Sequence, residues 1–550
     1  MKITGIRPIT QKFPTITLLC LMIISGAFAQ NKENVILSAM KNEVERNKNG
    51  LIMEKLKAPF YISYLIADIK VMDVSASLGA LTRARDNNYR AGIPKLLVGD
   101  YQRNNSNFNM FSMGKDISKE DDANGIATAI WESMDMVYKR SAESYEAKQA
   151  AMAQRIFDDE DANLPDMEQT PAVIKILEPL QTNRDKKYWS NYAVKASEIV
   201  KKYPEIISSS VNILNRNAML YTYNTEGTQM AVPHSYHMVH LNLRTRAEDG
   251  QNLNHNLYIQ RSDFKDMPTL QQFIDTCEIT INRLLALRKA PLVKEAYSGP
   301  VLFENQAIVE IFEEYFFSKK ALIAQRKSVT GQGGNNTEMM KDKKLISRSL
   351  SIKSLSGSPT YKGKKLEGYI PVDEEGVVPE KELFLVENGV LRNMLNGRIP
   401  SKKIQHSNGH TRLNFHAHST MTTAGNILLT SNNTFNNNDL KKKLLDAAQE
   451  EDFDYAYIVR GYRPNNSSEV FRIYVSDGRE ELVRGVVFPD LNIKSFKRIL
   501  GTSDNDYFYH TYNYGTLSSF VVPDALLFEE LEVTPDNNIN FEKPYIVPKP

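Results

Sequence analysis

The pattern TLQQFIDTCEITINRLLALRK, residues 269–289, is the feature that most constrains how this chain folds. Its apolar residues recur at helical spacing and Pro291 follows at once, which makes it an amphipathic helix with a definite end. Strand patterns lie on both sides of it. Upstream, YISYLIADIK, MDVSASLGALTR and KLLVGDYQ read as strands, as do 206–223 and 228–246, with turns at Glu226-Gly227 and Asp249-Gly250. Helical patterns cover 33–57, 121–158 and about 185–202, and the acidic stretch 158–171, with two prolines, reads as a loop. Downstream the chain changes character: one helix after Gly299, a helix at 439–451, and otherwise strands. Asn388-Gly389 suits a type I′ hairpin because both residues tolerate positive φ, and Asp477-Gly478 repeats the design. With 550 residues the chain is too long for one core. The expected class is α+β in two domains, a mixed α/β domain over 30–295 and a β-rich domain over 296–550, with the boundary near 291–298.

Residues 1–29 read as a secretory signal. Lys2, Arg7 and Lys12 form a positive start, Ile16 to Gly26 an apolar run, and Ala27-Phe28-Ala29 a small-x-small cleavage site. The run is shorter than the about 20 apolar residues that span a bilayer. Cys20 follows Leu19, too bulky for a lipoprotein signal. The chain is therefore expected to be exported, to a periplasmic location, with a mature start at Gln30. Removing three positive charges takes the formal charge from +2 to −1. A near-neutral chain carries no electrostatic case for nucleic-acid binding. Only Cys277 then remains, so no intramolecular disulfide forms, and Cys277 on its apolar helix reads as a buried small hydrophobe.

Several separated segments, in order, resemble the TldD/PmbA (modulator of gyrase) family. SASLGAL and VGDYQRNNSNF resemble its first sheet, and YSGPVLFENQAIVEIFEE its signature helix with the strand that leads in. GYIPVDEEGVVPEKELFLVENGVLRNML resembles its Asp-(Asp/Glu)-Glu-Gly segment. SNGHTRLNF resembles its Gly-Asn-Gly-Arg loop, and LVRGVVFPDLNIKSFKRILGTSDND its late Arg-Gly strand. The resemblance spans about residues 55–535. It implies a mixed α/β domain joined to a barrel-like C-terminal domain.

The resemblance also implies a site. Active members carry His-Glu-x-x-x-His on the signature helix and a Cys near the chain end, which hold a zinc whose water is activated by the Glu. On a regular helix i and i+5 lie about 140° apart, so this spacing implies a widened turn. The pattern falls on Glu313, Glu314 and Ser318, so both imidazoles are missing. No His lies between His255 and His406 and no Cys follows Cys277, so a shifted alignment restores nothing. Ile308, Ile311, Phe312, Tyr315 and Phe316 form an apolar stripe, with Glu310, Glu313 and Glu314 opposite. A solvated acidic face is favoured there over an oxygen-ligand site for Ca²⁺ or Mg²⁺. Phe317 falls amid the acids, which points to a cleft or a partner covering it.

His406, His410, His416 and His418 are the candidates for a substitute metal site. Against it, the segment matches a loop that supplies no ligand in the family. His234, His237 and His240 alternate faces on a strand, which disfavours a three-His site. The basic stretch Lys341 to Lys365 lacks aromatic interleaving and reads as solvated.

The resemblance thus implies an exported, zinc-less family member, a non-catalytic subunit that pairs with a zinc-bearing TldD-like relative and acts on peptides or unfolded protein. Zinc is expected only in that partner. The alternatives are an active metallopeptidase using the His406–His418 cluster and a stand-alone exported peptide-binding protein.

Overall fold

The computed structural model describes residues 34–54, 56–108, 113–154, 163–329, 333–415, 417–462, 468–513 and 515–543. The signal read at 1–29 lies outside the described residues, as does His416. Two 19-residue strands, β1 (Pro59–Ser77) and β2 (Ala80–Val98), dominate the first half. The expected break near residue 71 is absent. The chain turns instead at Leu78-Gly79, both at positive φ, within SASLGAL. With the helices on one face of β1 and the C-terminal half on the other, much of the strand is buried on both faces. Hydrophobic alternation therefore does not mark its length.

The first sheet runs β3 (Lys115–Ile117), β2, β1, β5 (Ser208–Asn224), β6 (Gln229–Arg246), β4 (Ile174–Ile176), with β7 (Asn252–Arg261) also on β6. Four helices cover one face. α1 (Val35–Gly50) and α2 (Ala123–Ala153) pack on Ile62, Tyr64 and Ile66, while α3 (Lys186–Glu198) and α4 (Leu270–Lys289) pack on Met72, Val74 and Val239. The even-numbered residues of β1 share this face because strand side chains alternate. α4 starts with a capping box between Thr269 and Gln272, and buries Cys277 beside Phe273 and Ile281, as its apolar pattern implies. Burial pushes the Cys277 thiol up to about 12.

The odd-numbered face of β1 carries Leu65, Ala67 and Ile69. It packs against Leu413 and Phe415 from the C-terminal half. That half begins with β8 (Tyr297–Glu304) and contains, among the described residues, two further large sheets and two short two-stranded ones. In one large sheet, β8 lies between strands 455–461 and 525–535; in the other, strand 426–431 lies between 350–354 and 516–523. Between these two sits α5 (Gln306–Glu313), at the centre of the largest apolar core. The last helix, α6 (Asn437–Glu450), covers the outer face of the β8 sheet through Leu440 and Leu444. The class is the mixed, strand-rich α+β expected. The hairpin at Asn388-Gly389 has both residues at positive φ. At Asp477-Gly478 only the glycine does, so the two hairpins turn differently.

Candidate functional site

α5 has an apolar side built from Ile308, Ile311 and Phe312, which are fully buried. The helix does not continue regularly. Residues Glu314–Ser318 form a π-turn, closed by the Lys319 amide donating to the Glu314 carbonyl at 2.9 Å. This is the widened turn that the i, i+5 spacing implies. It brings Glu313 and Ser318 onto one small cavity of about 20 Å³, shared with Phe317, Thr423, Ser518 and Phe520. Glu314 points elsewhere, partly exposed and 3.5 Å from the Lys319 ammonium.

The acidic face is not solvated as expected. Glu310 accepts from Gln306 at 2.7 Å and from the Tyr462 amide at 2.6 Å. Glu313 is only partly exposed. Burial, with Glu310 and Glu314 adding repulsion, pushes its carboxyl up to about 8. Phe317 needs no partner: it is 5% exposed and packs on Phe312 and Phe520 at ring distances of 5.7 and 5.8 Å. The extra residue in the π-turn rotates every later position relative to a regular helix, so a 3.6-residue wheel misplaces Phe317.

The donor set does not suit zinc. A carboxyl held largely protonated and a serine hydroxyl stand where two neutral imidazoles would be needed, and the only described thiol, Cys277, lies in the N-terminal core. The other histidines are separated. His406 is on the surface, 2.9 Å from Glu168. His410 is buried with both ring nitrogens engaged, by Ser354 at 2.7 Å and Asn408 at 2.8 Å, and burial beside Arg412 pulls it down to about 3. His418 is exposed. Among the described residues, no group of three or more His, Cys, Asp or Glu side chains is placed to hold a metal ion. His234, His237 and His240 have separate surroundings: His237 faces Asn215, His240 faces Asn256, and His234 lies against Phe415. In the stretch 341–365, Lys353, Lys362 and Lys365 pair with Glu382, Asp506 and Asp266.

The residues that sequence reasoning left without a role are Asp373, Glu374 and Glu375, its Asp-Glu-Glu-Gly segment. Asp373 accepts from the amides of Glu375, Val377 and Thr411 at 3.0, 2.8 and 3.0 Å. Glu375 binds Lys95 of β2 at 2.7 Å, and also takes the Arg398 amide and the Thr411 hydroxyl, both at 3.0 Å. Burial opposes the charge of Glu375, but Lys95 and Arg398 hold it down at about 2. Arg398 in turn forms a two-pronged pair with Glu226 at 2.8 and 2.6 Å. This chain of charges joins the β5–β6 turn to the C-terminal half. The resemblance flagged the motif, but nothing local in it names its partners.

The raised carboxyl of Glu313 has a consequence for stability. Its folded value near 8 exceeds its ordinary 4.5, so the folded state holds an extra proton between those values and loses stability as pH rises through that window. Glu313→Gln should therefore raise the melting temperature at pH 8 while changing it little at pH 4, as scanning calorimetry would show. Asp373 and Glu374, both pushed up to about 7 by burial, act in the same direction, so the variant should reduce the slope without abolishing it.

A helix that ends in a π-turn and sits between two sheets, beside a third sheet covered by helices, gives the chain a mixed, strand-rich α/β architecture. The C-terminal part of the chain belongs to the TldD/PmbA family: the family described as PmbA/TldA metallopeptidase C-terminal domain matches residues 296–535. Three solved structures share the fold. One, from Thermotoga maritima and named a modulator of DNA gyrase, is 14% identical, with 90% of this chain and 99% of that one aligned at a TM-score of 0.58. TldE from Thermococcus kodakarensis is 12% identical over 90% of this chain and all of that one, at 0.56. A protein named a modulator of DNA gyrase from Bacteroides thetaiotaomicron is 13% identical over 92% and 99%, at 0.59. Among curated proteins, none matches the sequence.

Proposed function

We propose that this chain is an exported, non-catalytic member of the family, which pairs with a zinc-bearing relative and contributes to binding peptides or unfolded protein. One observation carries the reading. The π-turn brings positions 313 and 318 together, as a two-histidine site would need, but supplies Glu313 and Ser318. Glu314, at the general-base position, has no metal-bound water to activate and is paired with Lys319. A scaffold kept without its ligands is best used in assembly.

The test combines metal analysis, mass by light scattering and peptide cleavage. The purified chain should hold no stoichiometric zinc and show no zinc-dependent rise in melting temperature, where a true site would add about 2.7 kcal/mol at a hundredfold excess over Kd. It should be dimeric, and cleavage should appear only with a zinc-bearing relative. Glu314→Gln in this chain should leave that cleavage nearly unchanged. A monomer that cleaves peptides alone and loses that activity in Glu314→Gln would overturn the reading. So would one tightly held zinc lost on mutating His416 and His418.

A further inference from the structure

A cavity of about 360 Å³ lies between the odd face of the first sheet and the C-terminal half. Leu220, Met230 and Val232 form one wall, and Leu366 and Leu517 the other. Leu180 and Tyr369, both lining it, are exposed and mark its mouth. The volume falls at the low end of the about 300–1,000 Å³ typical of small-molecule sites.

Three polar groups on these walls have no hydrogen-bond partner among the described residues. They are both terminal nitrogens of Arg412, one carboxylate oxygen of Glu374, and Nδ1 of His234. Arg412 is 2% exposed. Buried polar groups are almost always satisfied, and Arg412 keeps both terminal nitrogens without a hydrogen-bond acceptor although the Asp373 and Glu374 carboxyls lie near enough to act on its charge. The backbone makes room for it: a Cβ at Gly425 would stand 2.6 Å from Arg412 Nη2. The three groups also differ in kind. Arg412 can only donate, Glu374 offers an acceptor, and His234 offers a neutral imidazole nitrogen, burial having pulled it down to about 3.

We propose that this cavity binds the α-carboxylate of an apolar amino acid or peptide C-terminus, with the carboxylate on Arg412, the neighbouring N–H on Glu374, and the side chain against Leu220, Met230 and Val232. A planar guanidinium and a carboxylate fit as a two-pronged, charge-assisted pair. Asp373 and Glu374 flank Arg412 and would repel a doubly charged phosphate, but accept a ligand that brings its own N–H donor. The proposal does not depend on the reading of the α5 site.

Titration calorimetry on the full chain tests it with L-leucine, the tripeptide Ala-Ala-Leu and leucinamide. Leucine or the tripeptide should bind with Kd below about 1 mM. Leucinamide, which lacks the carboxylate, should bind about tenfold or more weakly. Tighter binding of the tripeptide assigns the site to peptide ends, and tighter binding of leucine to free amino acids. Arg412→Met should lose affinity by about tenfold or more while melting as a folded protein. If that variant does not fold, the contrast between leucine and leucinamide on the native chain decides. No binding of leucine or tripeptide up to about 10 mM, equal binding of leucinamide, or unchanged affinity in folded Arg412→Met would overturn the proposal.

Discussion

Arg398→Ala should cost about 3–5 kcal/mol of stability, because it removes one partner of a buried ion pair and leaves the other uncompensated. Arg398 is 1% exposed. Besides its two bonds to Glu226, it donates to the Glu168 carbonyl at 2.9 and 2.7 Å and lies over the Tyr61 ring at 5.3 Å. Without it, Glu226 keeps the Tyr101 hydroxyl at 2.7 Å but no cation. The loss falls where β1, the β5–β6 turn and the 373–375 segment meet. Urea unfolding followed by circular dichroism would measure it. Arg398→Lys should recover only part of the loss, since an ammonium cannot make the planar fork to Glu226. A midpoint unchanged in Arg398→Ala would show that this charge chain contributes nothing to holding the two halves together.

Phe317→Ala should cost about 3–5 kcal/mol, the usual range for truncating a buried aromatic. Phe317 packs on Phe312 and Phe520, next to Phe316, which packs edge-on to Phe496 at 4.9 Å. Phe317→Glu should be worse, because it sets a carboxylate among the Phe312 and Phe520 rings and beside Glu313, at a cavity where Lys320 is the one cation among the lining residues. A covered interface residue would behave differently: its loss would weaken assembly but leave the melting temperature of the isolated chain unchanged. Comparing the isolated chain with the assembled protein separates the two, and the packing predicts that the isolated chain already suffers the full loss.

Several properties of this protein were decided by local sequence alone. The helix at 269–289, the Asn388-Gly389 hairpin and the burial of Cys277 follow from periodicity and turn chemistry, which act between residues a few positions apart. The missing zinc ligands are a matter of composition: where no imidazole or thiol exists in the right stretch, no packing can create one. The widened turn after Glu313 was legible only through the resemblance, because a π-turn leaves no pattern that apolar periodicity can report. What that turn does to Phe317, and to Glu313, had to come from the tertiary structure. So did the pairing of Lys95 with Glu375, 280 positions away, and the gathering of Arg412, Glu374 and His234 on one cavity. A charged residue in the sequence carries its charge but not its partner. Which acid it meets, and whether it meets one at all, is set by how the sheets close on each other, and that depends on contacts between residues hundreds of positions apart.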